Sequence, residues 1–206
     1  MKDVWELAKA NEAYIIDRRR YYHAHPEPSM QEVETTRAIA KDLEALGIEY
    51  KTFPDHTGVL GVIRGGKPGK GIMLRADIDG LSGVHEATGL PFASQNPDCM
   101  HACGHDTHIS VLLGAAKILN EIKDELCGII NLCFEPAEET LQGASLMIKD
   151  GCLDGMDACF GMHTWSAGTS GKASFMKGNI MAAGGKFTVR VKGYASHGAR
   201  PQDGHD

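Results

Sequence analysis

No stretch of the sequence approaches the ~20 consecutive apolar residues that a membrane-spanning helix requires. The first twenty residues, MKDVWELAKANEAYIIDRRR, put charge into every turn and lack the unbroken apolar core of a secretory signal. Positive charge is in deficit as well. The 21 Lys and Arg face 27 Asp and Glu, a formal net charge of −6, so no basic surplus exists to neutralise a phosphate backbone. Internal repeats and low-complexity tracts are absent. These absences lead to the expectation of a cytoplasmic protein with neither nucleic acid nor membrane as partner. What is present is ordinary globular composition: 42% hydrophobic and 23% charged residues over 206 positions, enough for one large domain or one domain plus part of another.

In a reducing compartment the six cysteines read as thiols rather than bridges. Cys127, Cys133, Cys152 and Cys159 lie in apolar surroundings (CGIINLCF, GCLDGMDACF), where a free thiol acts as a small hydrophobe. Cys103 alone stands among other ligands, in MHACGHDTHIS at 100–110.

Apolar spacing predicts a helix over 4–23, ending before Pro26, and a second over 31–47, with Val33, Ile39, Ala40, Leu43 and Leu46 on one face and Gly47 at its C-cap. Strands are predicted at 48–54, 58–65 and 71–77, followed by a long Gly-, Pro- and Ser-rich loop over 80–98. A helix over 106–122 with Asp106 as N-cap, a strand at 127–136, a helix around 142–150 and a strand around 156–164 complete the pattern. This alternation is the rhythm of an α/β sandwich. From about residue 168 the texture changes to short segments broken by Gly, and KFTVRVKG at 186–193 alternates like a one-sided antiparallel strand. A second domain is expected to begin near Lys186.

Four ligand-rich stretches fall where strands are predicted to end: RADID (75–79), HACGHD (101–106), FEPAEE (134–139) and GMHTW (161–165). In open α/β sheets, sites form at the carboxyl ends of strands. Cys103 and His105 flank a glycine, so one loop can fold both donors onto one cation, and a divalent ion would lower the thiol pKa. A surface His cluster with an incidental Cys is the alternative. In EPAEE, neighbouring carboxylates of an extended segment point apart, so one can bind a metal while the other takes a proton from water; a solvated acidic loop is the alternative. Asp77 and Asp79 share one face, with Arg75 beside them, which a plain strand-end turn would also explain. His163, after the apolar ACFGM, suits a ligand or a satisfied core histidine.

Taken together, RRYYHAHPEPSMQEVETT, LRADIDGL, GLPFASQNPDCMHACGHDTHISVLLGAA, FEPAEE and GMHTW resemble the M20 metallopeptidase family. The likeness is to its amidohydrolase branch of hippurate hydrolases, N-acyl-amino-acid deacylases and auxin-conjugate hydrolases, and runs from about residue 15 onward. The resemblance implies an α/β catalytic domain, a mixed-sheet three-layer sandwich of the zinc-peptidase type. It also implies two divalent metal ions per site, zinc or manganese, with cobalt or nickel possible. The reaction implied is cleavage of the amide bond of an N-acyl amino acid or short peptide by metal-activated water. Motif by motif, Cys103, His105, Glu139 and His163 fall on metal ligands, Glu138 on the general base and Asp79 on the aspartate that orients the site. His101 and His108 then read as loop and helix residues, and Asp106 as a cap or an acceptor behind the ligands.

Two departures stand out. Many members have Pro after RADxDAL and Gln in FQPAEE, whereas this chain reads DGLSGVHEA and FEPAEETLQGA, so the loop near the substrate is expected to be shaped differently. The family also inserts an α+β lid or dimerisation domain. KFTVRVKGYASHGARP resembles its opening, with His197 at a substrate-reaching position and His205 in the lid's helix. The resemblance thus divides the chain into an incomplete catalytic domain, 1–183, and the start of a lid, 184–206. It implies a fragment of a homodimeric protein about twice as long, with an incomplete metal shell, an exposed apolar sheet face and little activity alone. A metal-binding but inactive fragment and a non-catalytic α/β interaction module are the competing readings.

Overall fold

The structure is a computed structural model that describes residues 3–185 and 187–205. Lys186, where the second domain is expected to begin, and Asp206 lie outside the described residues. The chain forms two compact units, one ending at Gly168 and the other starting at Thr169.

In the first unit, helices α1 (Val4–Ala10), α2 (Glu12–Ala24) and α3 (Val33–Ala45) precede strands β1 (Glu49–Thr52), β2 (Val59–Arg64) and β3 (Lys67–Asp77). Two short strands, β4 (Leu81–Ser82) and β5 (Cys99–Met100), pair with each other and close the long loop upon itself. Then follow α4 (His105–Glu121), β6 (Cys127–Glu135), α5 (Gly143–Lys149) and β7 (Ala158–Gly161). The main sheet has the order β1-β2-β6-β3-β7, with β3 parallel to β6 and β7, and β2 antiparallel to β1 and β6. It is a mixed sheet.

Side-chain alternation along the strands builds two apolar layers. Val59 and Ile63 of β2, Ile72, Leu74 and Ala76 of β3, and Ile130, Leu132 and Phe134 of β6 meet Tyr22, Ile39, Leu43, Ile109 and Leu113 from α2, α3 and α4. On the opposite face Leu60, Met73 and Cys133 pack with Met147 of α5 and Cys152. Helices on both faces make the unit a three-layer sandwich.

Several expectations need correction. The first helix is two, because Asn11 leaves the helical conformation (φ −103°, ψ 5°); its buried side chain donates to Leu7 O and accepts from Lys117 Nζ. Val33 is exposed, while Ile39, Ala40 and Leu43 are buried. Asp106 is not the N-cap of α4: that position is Gly104, in the left-handed region at φ +89°. Gly47 (φ +67°) follows the C-cap Leu46 and donates to Glu44 O.

In the second unit, residues 187–193 form no strand. A lone strand leaves its N–H and C=O groups unpaired, and no strand of this unit pairs with it among the described residues. Its alternating apolar side chains are accordingly open, Phe187 at 88%, Val189 at 75% and Val191 at 81% exposure. His205 pairs with Tyr194 in an isolated bridge rather than lying in a helix, and Pro201–Asp203 form a single 3-10 turn. No helix of the described residues is long and apolar enough to cross a membrane.

Apolar surface also remains in the first unit: edge strand β7 is exposed along its length, with Phe160 half open. Two phenylalanines therefore separate core from edge. Phe134→Ala, in the centre of the sheet, should lose about 3–5 kcal/mol in urea unfolding followed by circular dichroism, and Phe160→Ala under about 1 kcal/mol; equal losses would show that the core is wrongly placed.

Candidate metal centre

Parallel pairing of β3 with β6 and β7 puts the carboxyl ends of all three strands on one side, with Asp77 level with Glu135 and Arg75 level with Gly161. The chain leaving each strand carries Asp79, the Pro136–Glu139 turn and His163 respectively, and the N-terminus of α4 arrives there with Cys103 and His105.

Hydrogen bonds fix the ring orientations. His105 is buried, and its Nδ1 faces only acceptors, Asp79 O at 2.8 Å and Asp79 Oδ1 at 3.2 Å, so Nδ1 carries the hydrogen and Nε2 keeps a lone pair. Nδ1 of His163 donates to Thr164 O at 2.5 Å, which leaves its Nε2 lone pair facing Cys103 Sγ at 3.4 Å. Nε2 of His105 lies 3.8 Å from Glu138 Oε2 and 3.7 Å from Glu139 Oε1. The structure thus gathers Cys103, His105 and His163 into one cluster of donors, and His105, Glu138 and Glu139 into a second that shares His105; within each, the atoms lie inside 4.8 Å of one another.

Asp79 organises this arrangement. Buried, it accepts from His105, from Ser29 Oγ at 2.7 Å and from Glu139 N at 3.0 Å. Burial alone would raise its pKa, but these hydrogen bonds outweigh it and hold the carboxyl below its ordinary value. Glu32, fully buried, accepts from Ala137 N at 2.7 Å and Thr57 Oγ1 at 2.6 Å and so pins the turn that presents Glu138 and Glu139; Ala137 itself sits at φ +50°.

The electrostatics favour a cation. Desolvation disfavours charge on His105, yet Asp79, Asp77 and Glu139 prevail and raise its pKa. Burial first, then the Glu139 carboxylate, pushes the Cys103 thiol up to about 12. Burial and the nearby Asp77 raise Glu138. A divalent ion relieves all of these strains at once, since it replaces the proton on nitrogen and sulfur and offsets the carboxylate repulsion. Two atoms argue that the residues fit such an ion: His105 Nε2 and Glu139 Oε1 are buried and have no hydrogen-bond partner in the structure.

Asp77, His105 and His108 also cluster closely enough to hold a metal. Both His108 nitrogens are committed, however: Nε2 accepts the Thr164 N–H at 2.9 Å, and Nδ1 therefore donates to Asp77 Oδ1 at 2.5 Å. No lone pair is left for an ion. Asp77 also binds Arg75 Nη1 at 2.7 Å, and although burial would raise its pKa, the His108 bond with His105 and Arg75 holds it at about 2.

The motifs give His108 as a helix residue, which α4 bears out, but assign no role in the site to it or to Thr164, Ser29 and Glu32. His105 and His108 are three apart on α4 and share a face, a signal available in the sequence; nothing local marks the other three. Asp106 serves not as a cap but as an acceptor for His23 Nδ1 (2.7 Å), and it forms an ion pair with Arg19, Nε to Oδ2 3.0 Å. His101 is buried. His197 lies in the second unit, where its Nδ1 accepts the Ala199 N–H. Beside Cys103 and His163 opens a cavity of about 500 Å³, lined also by Arg19, Thr107 and Trp165.

Residues 73–201 match the sequence profile of Peptidase family M20/M25/M40. An N-acetyl-L-cysteine deacetylase of Bacillus subtilis is 45% identical over 95% of this chain and 47% of its own length. An N-acyl-L-amino acid amidohydrolase of Geobacillus stearothermophilus is 40% identical over 91% of the chain and 50% of its length. Among solved structures, a Bacillus subtilis dinuclear metal-binding peptidase from the M20 family superposes with a TM-score of 0.73 at 46% identity, covering 76% of this chain and 44% of that one. The chain spans about half the length of the curated relatives it matches. A profile matched across most of the chain, relatives at this identity and a shared fold lead to one conclusion: the chain belongs to peptidase family M20/M25/M40.

Proposed function

We propose that this chain carries the catalytic half-site of a metal-dependent amidohydrolase acting on N-acyl amino acids or short peptides. The observation that carries the reading is the pair of buried, unpartnered ligand atoms, His105 Nε2 and Glu139 Oε1, set beside Cys103, His163 and the carboxylate of Glu138. The names of the deacetylase and amidohydrolase relatives support the substrate class.

Cys103, His105, Glu139 and His163 would hold two divalent ions, zinc or manganese, with cobalt or nickel admitted by the mixed sulfur, nitrogen and oxygen donors. When bound, such ions acidify water and polarise a carbonyl. The chain's own residues do the rest. Glu138, raised by burial and by Asp77, is the base that accepts the water proton and returns it to the leaving amine. Asp79 fixes the His105 ring and, through the Glu139 N–H, the turn that aims Glu138.

Residues 1–183 are read as part of the catalytic domain and 184–206 as the start of a lid or dimerisation domain, with His197 reaching the substrate and the longer protein a homodimer. Free cysteines throughout the described residues support a cytoplasmic location.

Three outcomes test this. After dialysis, Cys103→Ala should lose bound zinc by elemental analysis while Cys133→Ala keeps it; a wild-type chain that retains no transition metal would favour a non-catalytic interaction module. In whichever chain turns over substrate, 206 residues or longer, Glu138→Gln should keep its metal and lose about 10²–10⁴ in kcat, and retained turnover would overturn the base assignment. Residues 1–206 alone, at saturating metal, should hydrolyse N-acyl amino acids poorly or not at all; robust turnover by a monomer would show that further chain is unnecessary.

A further inference from the structure

Resting on the metal-centre reading, we propose that His108 is a positioning residue: it is a latch that sets where the His163 imidazole stands relative to Cys103 and His105. His108 is buried in the first turn of α4, and its ring completes a triangle with those of the two other histidines, 5.5 Å from the His105 centroid and 4.7 Å from that of His163, edge to face with the latter, while His105 and His163 stand 6.2 Å apart. One end is anchored on the sheet: Nδ1–H donates to Asp77, which Arg75 holds from its other side. The other end accepts the Thr164 backbone N–H at 2.9 Å, with Thr164 Oγ1 at 3.2 Å.

Thr164 follows His163 directly and its carbonyl accepts from His163 Nδ1, so the residue whose N–H His108 holds is also the one whose carbonyl, in the next peptide, orients the ligand ring. The same threonine packs on Gly104, where any Cβ would collide with Thr164 Oγ1. The loop bearing His163 is thereby clamped against the Cys103–Gly104–His105 corner. It has few other restraints, since β7 ends at Gly161 and His163 and Trp165 are exposed. Without the latch, the Cys103 and His105 donors stay with α4, while His163 is free to swing away.

The geometry prescribes one protonation pattern: Nδ1 bears hydrogen and Nε2 is bare. A glutamine amide offers a donor and an acceptor at a spacing similar to that of the two ring nitrogens, whereas phenylalanine offers the ring shape and neither.

Titration of the chain with cobalt(II) chloride reads the prediction. The wild type should show a near-ultraviolet thiolate-to-cobalt charge-transfer band that Cys103→Ala abolishes. His108→Phe should keep that band, change the visible d–d spectrum as an imidazole is lost, and bind cobalt on the order of tenfold or more weakly; His108→Gln should recover most of the loss. Unfolding midpoints measured without metal separate this from a general loss of fold. Wild-type affinity and spectrum in His108→Phe would overturn the latch alone. Absence of a Cys103-dependent band in the wild type would sink the metal reading and the latch with it. Nitrogen-15 NMR of His108 in the wild type needs no variant: a bare Nε2 and protonated Nδ1 are expected, and a hydrogen on Nε2 overturns the proposal even if His108→Phe does not fold.

Discussion

The site hangs on a carboxylate that is buried and nevertheless kept charged. Asp79 stands two residues past the end of β3 and holds three separate pieces of chain: Ser29 from the segment between α2 and α3, the His105 ring at the head of α4, and the Glu139 N–H in the turn after β6. An ionised group in such a position is tolerable only when its oxygens are fully used. The demand for partners therefore acts as a geometrical instruction. It brings together segments that the sheet leaves merely near each other, and it decides which nitrogen of His105 is bare.

Around that centre the molecule repeats one device. A buried acidic side chain, itself satisfied by several donors, fixes a backbone N–H or a ring whose neighbour carries the chemistry. Glu32 does this for the turn bearing Glu138 and Glu139, and Asp77, through His108, for the loop bearing His163. Half-buried Glu27 lends support further out, accepting from the Glu34 and Thr35 N–H groups at the start of α3 while its own carbonyl receives the Gly80 N–H. Precise placement of donors at the end of a sheet needs such support, because the loops that carry them have little apolar contact of their own.

Much of this was legible in the sequence, and the limits are physical. Strands β2, β3 and β6 announce themselves by apolar runs, and α3 by its spacing, since burial imposes a period that composition records. The break at Asn11 was missed because it depends on Lys117 and a buried amide, a tertiary contact that overrides local helical preference. Asp106 resembles an N-cap by type and place, yet its carboxylate is claimed by His23 and Arg19 from α2, and the left-handed Gly104 begins the helix. KFTVRVKG has the alternation of a strand, yet its described residues 187–193 form none, because pairing is a property of two segments. At the centre, residues with chemically conspicuous side chains were found from motifs, whereas Ser29, Glu32 and Thr164 act through hydrogen bonds across long stretches of chain and leave no local mark.

The strand order has a further consequence, for the time course of synthesis. Strands β2 and β3 are separated in sequence by only Gly65 and Gly66, yet they never pair: β6, which begins at Cys127, lies between them and supplies the ladder for both. A chain emerging from the ribosome thus presents Val59, Leu60 and Ile63, and then Ile72, Met73 and Leu74, with no central partner until more than forty further residues have been made. Until then only helices, the β1–β2 hairpin and the short β4–β5 pair can form, and the main sheet closes in one late, long-range step. The interval in which apolar strands stand open is set by topology rather than by composition, and the shelter available during it comes from α2 and α3 and then α4, all made before β6.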